Sequence, residues 1–217
     1  MTVRLAALVL TTIALGSVSA QPPRLQDVKL AGDRFKPLAY ADMTPEQRAM
    51  IEHLLAGERG TTSGPFNVFL RSPRLGDLAQ QLGAEVRFHS SLPTRLNEMA
   101  ILLTARHWTS QYEWYAHKPR AIQAGLNAAI VDAIAAGRRP AAMAADEEAL
   151  YNFATELLET KEVTDPTFAA AIRTFGERGV VDAIGVIGYY HLVSMALNVD
   201  RYPLPGGAKP ELVPLRR

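Results

Sequence analysis

The stretch Pro93-Thr94-Arg95-Leu96-Asn97-Glu98-Met99-Ala100-Ile101-Leu102-Leu103-Thr104-Ala105-Arg106-His107-Trp108 reads as a helix that is apolar on nearly every face. A helix without a polar face sits inside a bundle or at a subunit interface. A second such helix is expected from about Val180 to Leu197, where Gly185 and Gly188 suit close helix contact. Asp182 and His191 interrupt its apolar run and argue against a membrane span, because ionisable groups are costly in lipid.

Working outward from these two segments, helix signals recur from residue 44 to about 198, with no comparable run of alternating strand pattern. Thr44-Pro45-Glu46-Gln47 combines an N-cap, a proline at the first helical position and a capping-box partner. Ser72-Pro73 and Asp165-Pro166 repeat the cap-plus-proline arrangement. Leu75, Leu78, Leu82 and Val86 form one stripe at helical spacing, as do Leu150, Phe153, Leu157 and Leu158. Gly57, Gly125, Gly137 and Gly176 are expected stops. The expected fold is all-α, a single-domain bundle of about eight helices over residues 44–200. Residues 21–43 lack a clear period and read as an extended N-terminal arm. Residues 201–217 carry Pro203, Pro205, Pro210 and Pro214 and read as a Pro-rich tail suited to lie across a neighbouring subunit.

Residues 1–20 read as a secretory signal peptide: Arg4 begins it, Leu5 to Leu15 is apolar residues and threonine, and Val18-Ser19-Ala20 offers small residues for cleavage. The expectation is an exported chain, periplasmic or secreted, beginning at Gln21. Of the 23 basic and 22 acidic residues, that segment removes Arg4 and no acid, so the remainder is formally neutral. Neither nucleic acid nor an anionic membrane is an expected partner. With no cysteine in 217 residues, thiol nucleophiles, thiol redox and cysteine-ligated metals are excluded.

Ser110-Gln111-Tyr112-Glu113-Trp114-Tyr115-Ala116-His117 concentrates an acid, an imidazole and three aromatics. Glu113 and His117 are four apart and share a helix face, and a carboxylate beside an imidazole holds its tautomer for acid or base work. Ser110 followed by Glu113 is equally a capping box. Pro119, just beyond, is expected to bend or break the helix there. Glu98 sits on the apolar helix, where a carboxylate needs a partner; Arg95, three residues earlier, is one, and an exposed salt bridge between the two is the plain alternative. Arg106 is either a carboxylate clamp or a solvated helix-end charge. His191, beside Tyr189 and Tyr190, is either a buried anchor or a pocket residue; His89 suits a pocket near its helix end, and His53 and His107 read as ordinary helix residues. A metal held by Glu98, Glu113 and His117 lacks the dense ligand cluster that would mark one, so no metal and no cofactor is expected. No phosphate loop or Gly-x-Ser-x-Gly elbow is present, and Gly60 to Pro65 reads as a surface loop.

Leu92-Pro93-x-Arg95-Leu96-x-Glu98-x-Ala100-Ile101-Leu102, then Ala105-Arg106, Tyr112-Glu113-Trp114-x-x-His117 and Gly125-Leu126, resembles the carboxymuconolactone decarboxylase family, which includes the alkylhydroperoxidase D-like proteins. Gly188-Tyr189-Tyr190-His191 with Leu197-Asn198 also looks like members of this group. The resemblance implies an all-helical alkylhydroperoxidase D-like fold assembled into trimers or hexamers, with pockets near subunit contacts. In the peroxidase branch, Cys-x-x-Cys reduces peroxide with a preceding glutamate and a following histidine. Ser110 and Glu113 occupy the two cysteine places here, and Glu98 and His117 match the other two, so a thiol peroxidase is excluded. The motif Glu-Trp-x-x-His looks like the decarboxylase branch. That implies a cofactor-free lyase acting on a small carboxylated lactone or related carbonyl acid. In that reading His117, oriented by Glu113, protonates the product carbon, and Glu98 relays protons. Arg106 holds a carboxylate that stays, Tyr112 and Trp114 supply an apolar wall, and Tyr190 and His191 complete the substrate-binding set. The competing expectation is a noncatalytic oligomer that binds a small ligand or a partner protein.

Overall fold

The computed structural model describes residue 25 and residues 28–215; the signal peptide expected over residues 1–20 lies outside them. The described residues are all-helical and contain no strand. Eight helices follow in order: α1 Pro45–Ala56, α2 Phe66–Phe69, α3 Pro73–Ala84, α4 Thr94–Trp108, α5 Gln111–Gln123, α6 Ala128–Ala135, α7 Ala145–Thr160 and α8 Asp165–Asp200. A π-type turn, Glu85–His89, extends α3.

Local chemistry sets most of these limits. Thr44 Oγ1 accepts from the Gln47 amide and Gln47 Oε1 from the Thr44 amide, the reciprocal box expected at the start of α1. Ser72 precedes Pro73 as expected but makes no side-chain cap bond. At α8 the cap is Thr164 rather than Asp165, so proline falls one position deeper. Gly125 and Gly137, at φ 95° and 66°, end α5 and α6 in the left-handed region where a side chain is unfavourable. Gly176, at φ 68° and ψ 175°, breaks α8 into two helical segments. Pro119 does not end α5: only the bond to Tyr115 is lost, and the helix runs four residues further, with Arg120 Nη1 donating to the Ala116 carbonyl at 2.6 Å.

The main core surrounds α4, with Met99, Ala100, Ile101 and Leu102 fully buried against residues of α5, α6, α7 and α8. A smaller core joins α1, α2 and α3 to the N-terminal arm, whose residues 28–43 are irregular apart from a 3-10 turn at Tyr40–Asp42. Asp200, fully buried, holds that arm by accepting from the amides of Phe35 at 2.7 Å and Asp33 at 3.3 Å.

Of the expected stripe along α3, Val86 is buried in the main core while the three leucines face outward. Leu75, Leu78 and Leu82 are 51%, 58% and 47% exposed, and the buried face is Gly76, Ala79, Gln80 and Gly83. Smallness explains the orientation: a Cβ on Gly83 would lie 2.2 Å from the Tyr189 hydroxyl, and one on Gly76 2.6 Å from Met50. Val181, Ile184, Met195 and Val199 of α8 are exposed as well. By length and composition α8 could cross a membrane, but half of its most apolar window is buried inside the bundle. The C-terminal tail lies on its own chain rather than away from it: Leu212 is buried in the main core, and Gln111 Nε2 donates to the Leu212 carbonyl at 2.7 Å.

Candidate active site

Thr109, at φ 50°, turns the chain sharply after α4, and α5 folds back against α4 from Gln111 onward. This return brings a residue near the start of α4 beside one in the middle of α5. His117 Nδ1 lies 2.6 Å from Glu98 Oε2. On the opposite ring edge, Nε2 is 3.4 Å from Glu113 Oε2 and 3.3 Å from the Tyr190 hydroxyl. The Tyr190 ring meets the imidazole edge-on at 5.0 Å between centroids. Glu98, Glu113, His117 and Tyr190 are all buried, as is Trp114 beside them in sequence.

Several open questions from the residue pattern have answers in this packing. Glu113 is no cap: Ser110 makes no side-chain cap bond, and the Glu113 carboxylate is buried against the imidazole. Arg95 does not serve Glu98. It crosses to α7, donating to Asp146 Oδ2 at 2.7 Å and pairing with Glu147. Glu113 shares the Nε2 side of the His117 ring with Tyr190, and the shorter carboxylate contact is made by Glu98 at Nδ1.

Electrostatics separate the groups. Burial raises the Glu113 carboxyl above its ordinary value near 4.5, with His117 and the guanidiniums of Arg59, Arg87 and Arg120 acting in the opposite direction. Burial likewise pushes the Tyr190 phenol well above its ordinary range, and Glu113 adds to it. Burial thus favours the neutral, hydrogen-bearing form of each, and each faces His117 Nε2.

One side of the cluster opens to a cavity of about 640 Å³ lined by Arg87, Phe88, Thr94, Glu98, Arg120 and Gln123. Glu98 is the member of the cluster that reaches it. Arg87 is delivered by the π-type turn after α3, a backbone irregularity often found at functional sites. Burial lowers its pKa, and Tyr190 and Glu98 raise it. Arg87 and Arg120 had no signal in the sequence, since each is a lone arginine outside any motif.

The other residues singled out from the sequence stand elsewhere. Arg106 lines a different cavity, beneath the C-terminal tail. Tyr112 packs edge-on against Tyr202, with centroids 4.5 Å apart, and lines a groove with Trp108 and Arg201. His191 accepts from Trp108 Nε1 at 2.7 Å and lies 5.5 Å from the His107 ring, with burial first and His107 second lowering its pKa. His53 and His89 make exposed contacts with Asp77 and Glu58. The loop residues Thr61 and Ser63 hydrogen-bond one another, and the Gly64 amide donates to the Tyr202 hydroxyl. Among the described residues, no three His, Asp or Glu side chains converge as a metal site would require. Comparison with known proteins finds no matching family model, curated protein or solved structure.

Proposed function

We propose that this chain is an exported, oligomeric protein of the carboxymuconolactone decarboxylase type, with an alkylhydroperoxidase D-like fold. It acts as a cofactor-free lyase on a small carboxylated lactone or related carbonyl acid. The observation that carries the reading is the buried relay Glu113–His117–Glu98 ending at an open cavity flanked by Arg87 and Arg120.

The geometry supports a specific division of labour. Substrate in the cavity meets Glu98, with the two arginines available to hold carboxylates that stay on the product. Holding the departing carboxylate would stabilise the reactant as well as the transition state, so the cations help most at a spectator group. As the bond to the departing carboxylate breaks, its electron pair moves onto the ring carbon and the conjugated carbonyl, and carbon dioxide leaves. The carbon takes a proton from Glu98, Glu98 takes one from His117 Nδ1, and Nε2 takes one from the Glu113 carboxyl. After product leaves, the protons shift back along the relay to His117 Nδ1 and Glu113, and solvent in the cavity restores the proton on Glu98, which closes the cycle. Glu98 is thus the catalytic acid, and His117 and Glu113 are the relay behind it.

Self-association belongs to the same proposal. Leu75, Leu78, Leu82, Val181, Ile184 and Met195 expose apolar area that a second copy would cover, and Gly188 has no atom within 4 Å of where a Cβ would stand, leaving room for a helix to approach. Export rests on the leader-like residues 1–20.

The test is turnover of small unsaturated carboxylates and lactones followed by ultraviolet absorbance, with His117→Gln as control. Decarboxylation that falls by about 10²–10⁴ in the variant supports the reading. No turnover across the panel would move the assignment to a noncatalytic binding oligomer.

A further inference from the structure

A second cavity, sharing no lining residue with the first, lies beneath the C-terminal tail and carries an inference independent of the lyase reading. The tail is fastened over it. Gln111 Oε1 accepts from the amides of Glu211 and Leu212 at 3.1 Å each, and Arg106 Nη2 donates to the Val213 carbonyl at 2.7 Å. Leu215 then lies against Gly137 and closes one side.

Arg106 is the unusual member of this wall. It is 4% exposed, and its Nε and Nη1 are buried without a hydrogen-bond partner. It has no ion pair among the described residues, and burial is the sole cause moving its pKa, downward. A buried guanidinium with two donors unanswered is costly, and it is the kind of group that a carboxylate satisfies best. The remaining wall is mixed: Leu103, Ile134, Tyr151, Leu158 and Leu215 are its apolar part, and His107 and Thr155 add polar groups. Exposed Arg138 and Glu159 also line it and offset one another, and Arg106 is the buried guanidinium that faces a ligand.

We infer that this cavity binds a small monocarboxylate, whose oxygens accept from Arg106 and whose alkyl end packs against Ile134, Leu158 and Leu215. The volume is about 90 Å³. With roughly 30 Å³ per water in the liquid, that is the space of about three waters, or of a carboxylate of about two carbons. Water alone could fill the space but would not neutralise the guanidinium.

Acetate is the probe, titrated into the full chain by calorimetry at constant ionic strength, with chloride as the competing simple anion. Saturable binding to one site is expected, unaffected by chloride and accompanied by methyl shifts at Ile134 and Leu215 that follow the same Kd. Arg106→Gln should weaken it at least tenfold. Leu215→Trp, which fills the space while keeping Arg106, should weaken it similarly and decides the matter if the first variant fails to fold. The inference is overturned if the folded parent shows no saturable binding, if chloride displaces acetate at equal concentration, or if either folded variant binds as the parent does.

Discussion

His117 Nδ1 stands 2.6 Å from Glu98 Oε2, a contact between residues nineteen apart in the chain, whereas Glu113, one helical turn from His117, stays 3.4 Å from the opposite ring nitrogen. The long-range carboxylate therefore holds the imidazole, and the local one sits behind it. Since Glu98 also lines the open cavity, replacing its carboxyl without changing its shape is the sharpest intervention. Glu98→Gln should lower kcat by about 10²–10⁴ with little change in KM, because an amide keeps the cavity wall but cannot pass a proton. Equal kcat in the two proteins would remove Glu98 from the reaction.

Glu113 provides a pH signature of stability. Its carboxyl is raised in the folded state by burial, so in the window above the ordinary value near 4.5 the folded chain binds the proton that the unfolded chain has released. The contribution is full below that value and is lost as pH rises towards the raised value, with a slope of at most about 1.4 kcal/mol per pH unit. Urea denaturation from pH 4 upward should show this decline in the parent and a flatter profile in Glu113→Gln. An identical decline in both would place its cause in another group.

The α4–α7 ion pair should matter for folding. Arg95 is partly buried and answers both Asp146 and the buried Glu147. Arg95→Ala leaves Glu147 with only its bond from the Ala144 amide. A loss of about 2–4 kcal/mol is expected in chemical denaturation, below the full cost of orphaning a buried charge because one bond remains.

Gln111 is the fastener of the tail. Gln111→Ala removes three hydrogen bonds to Glu211 and Leu212 at once. Hydrogen exchange at the amides of Glu211 and Leu212 should accelerate by at least tenfold while amides in α4 keep their protection; unchanged exchange at those two sites would mean that Leu212 burial alone holds the segment.

The exposed stripe of α3 yields a test of assembly. Leu78→Glu changes a side chain that is 58% exposed, so the stability of the isolated chain should move by no more than about 0.5 kcal/mol. Light scattering after size exclusion should nonetheless show a smaller particle than the parent if this face joins copies. An unchanged mass would assign the contact to another surface.

Much of the architecture was readable from neighbouring residues. Caps, prolines and glycines act within one turn of themselves, so the starts of α1 and α3 and the ends of α5 and α6 could be read directly. The site was readable in part. Glu113 and His117 share a face by spacing alone, and the costly position of Glu98 on an apolar helix pointed to a partner without naming it. Arg95 was the nearest candidate in sequence, and packing sent it to α7 instead.

What the sequence determined by itself was periodicity, the all-helical class, the absence of thiol chemistry and the identity of the acid and imidazole. Tertiary structure alone decided which carboxylate met which ring nitrogen, that Arg87 and Arg120 rather than Arg106 stood beside Glu98, and that the α3 leucines faced outward. The reason is physical. Helix formation and capping are settled by contacts three or four residues away, while the sharp turn at Thr109, the close approach at Gly83 and the closing of the tail over Arg106 depend on surfaces brought together only after the helices pack.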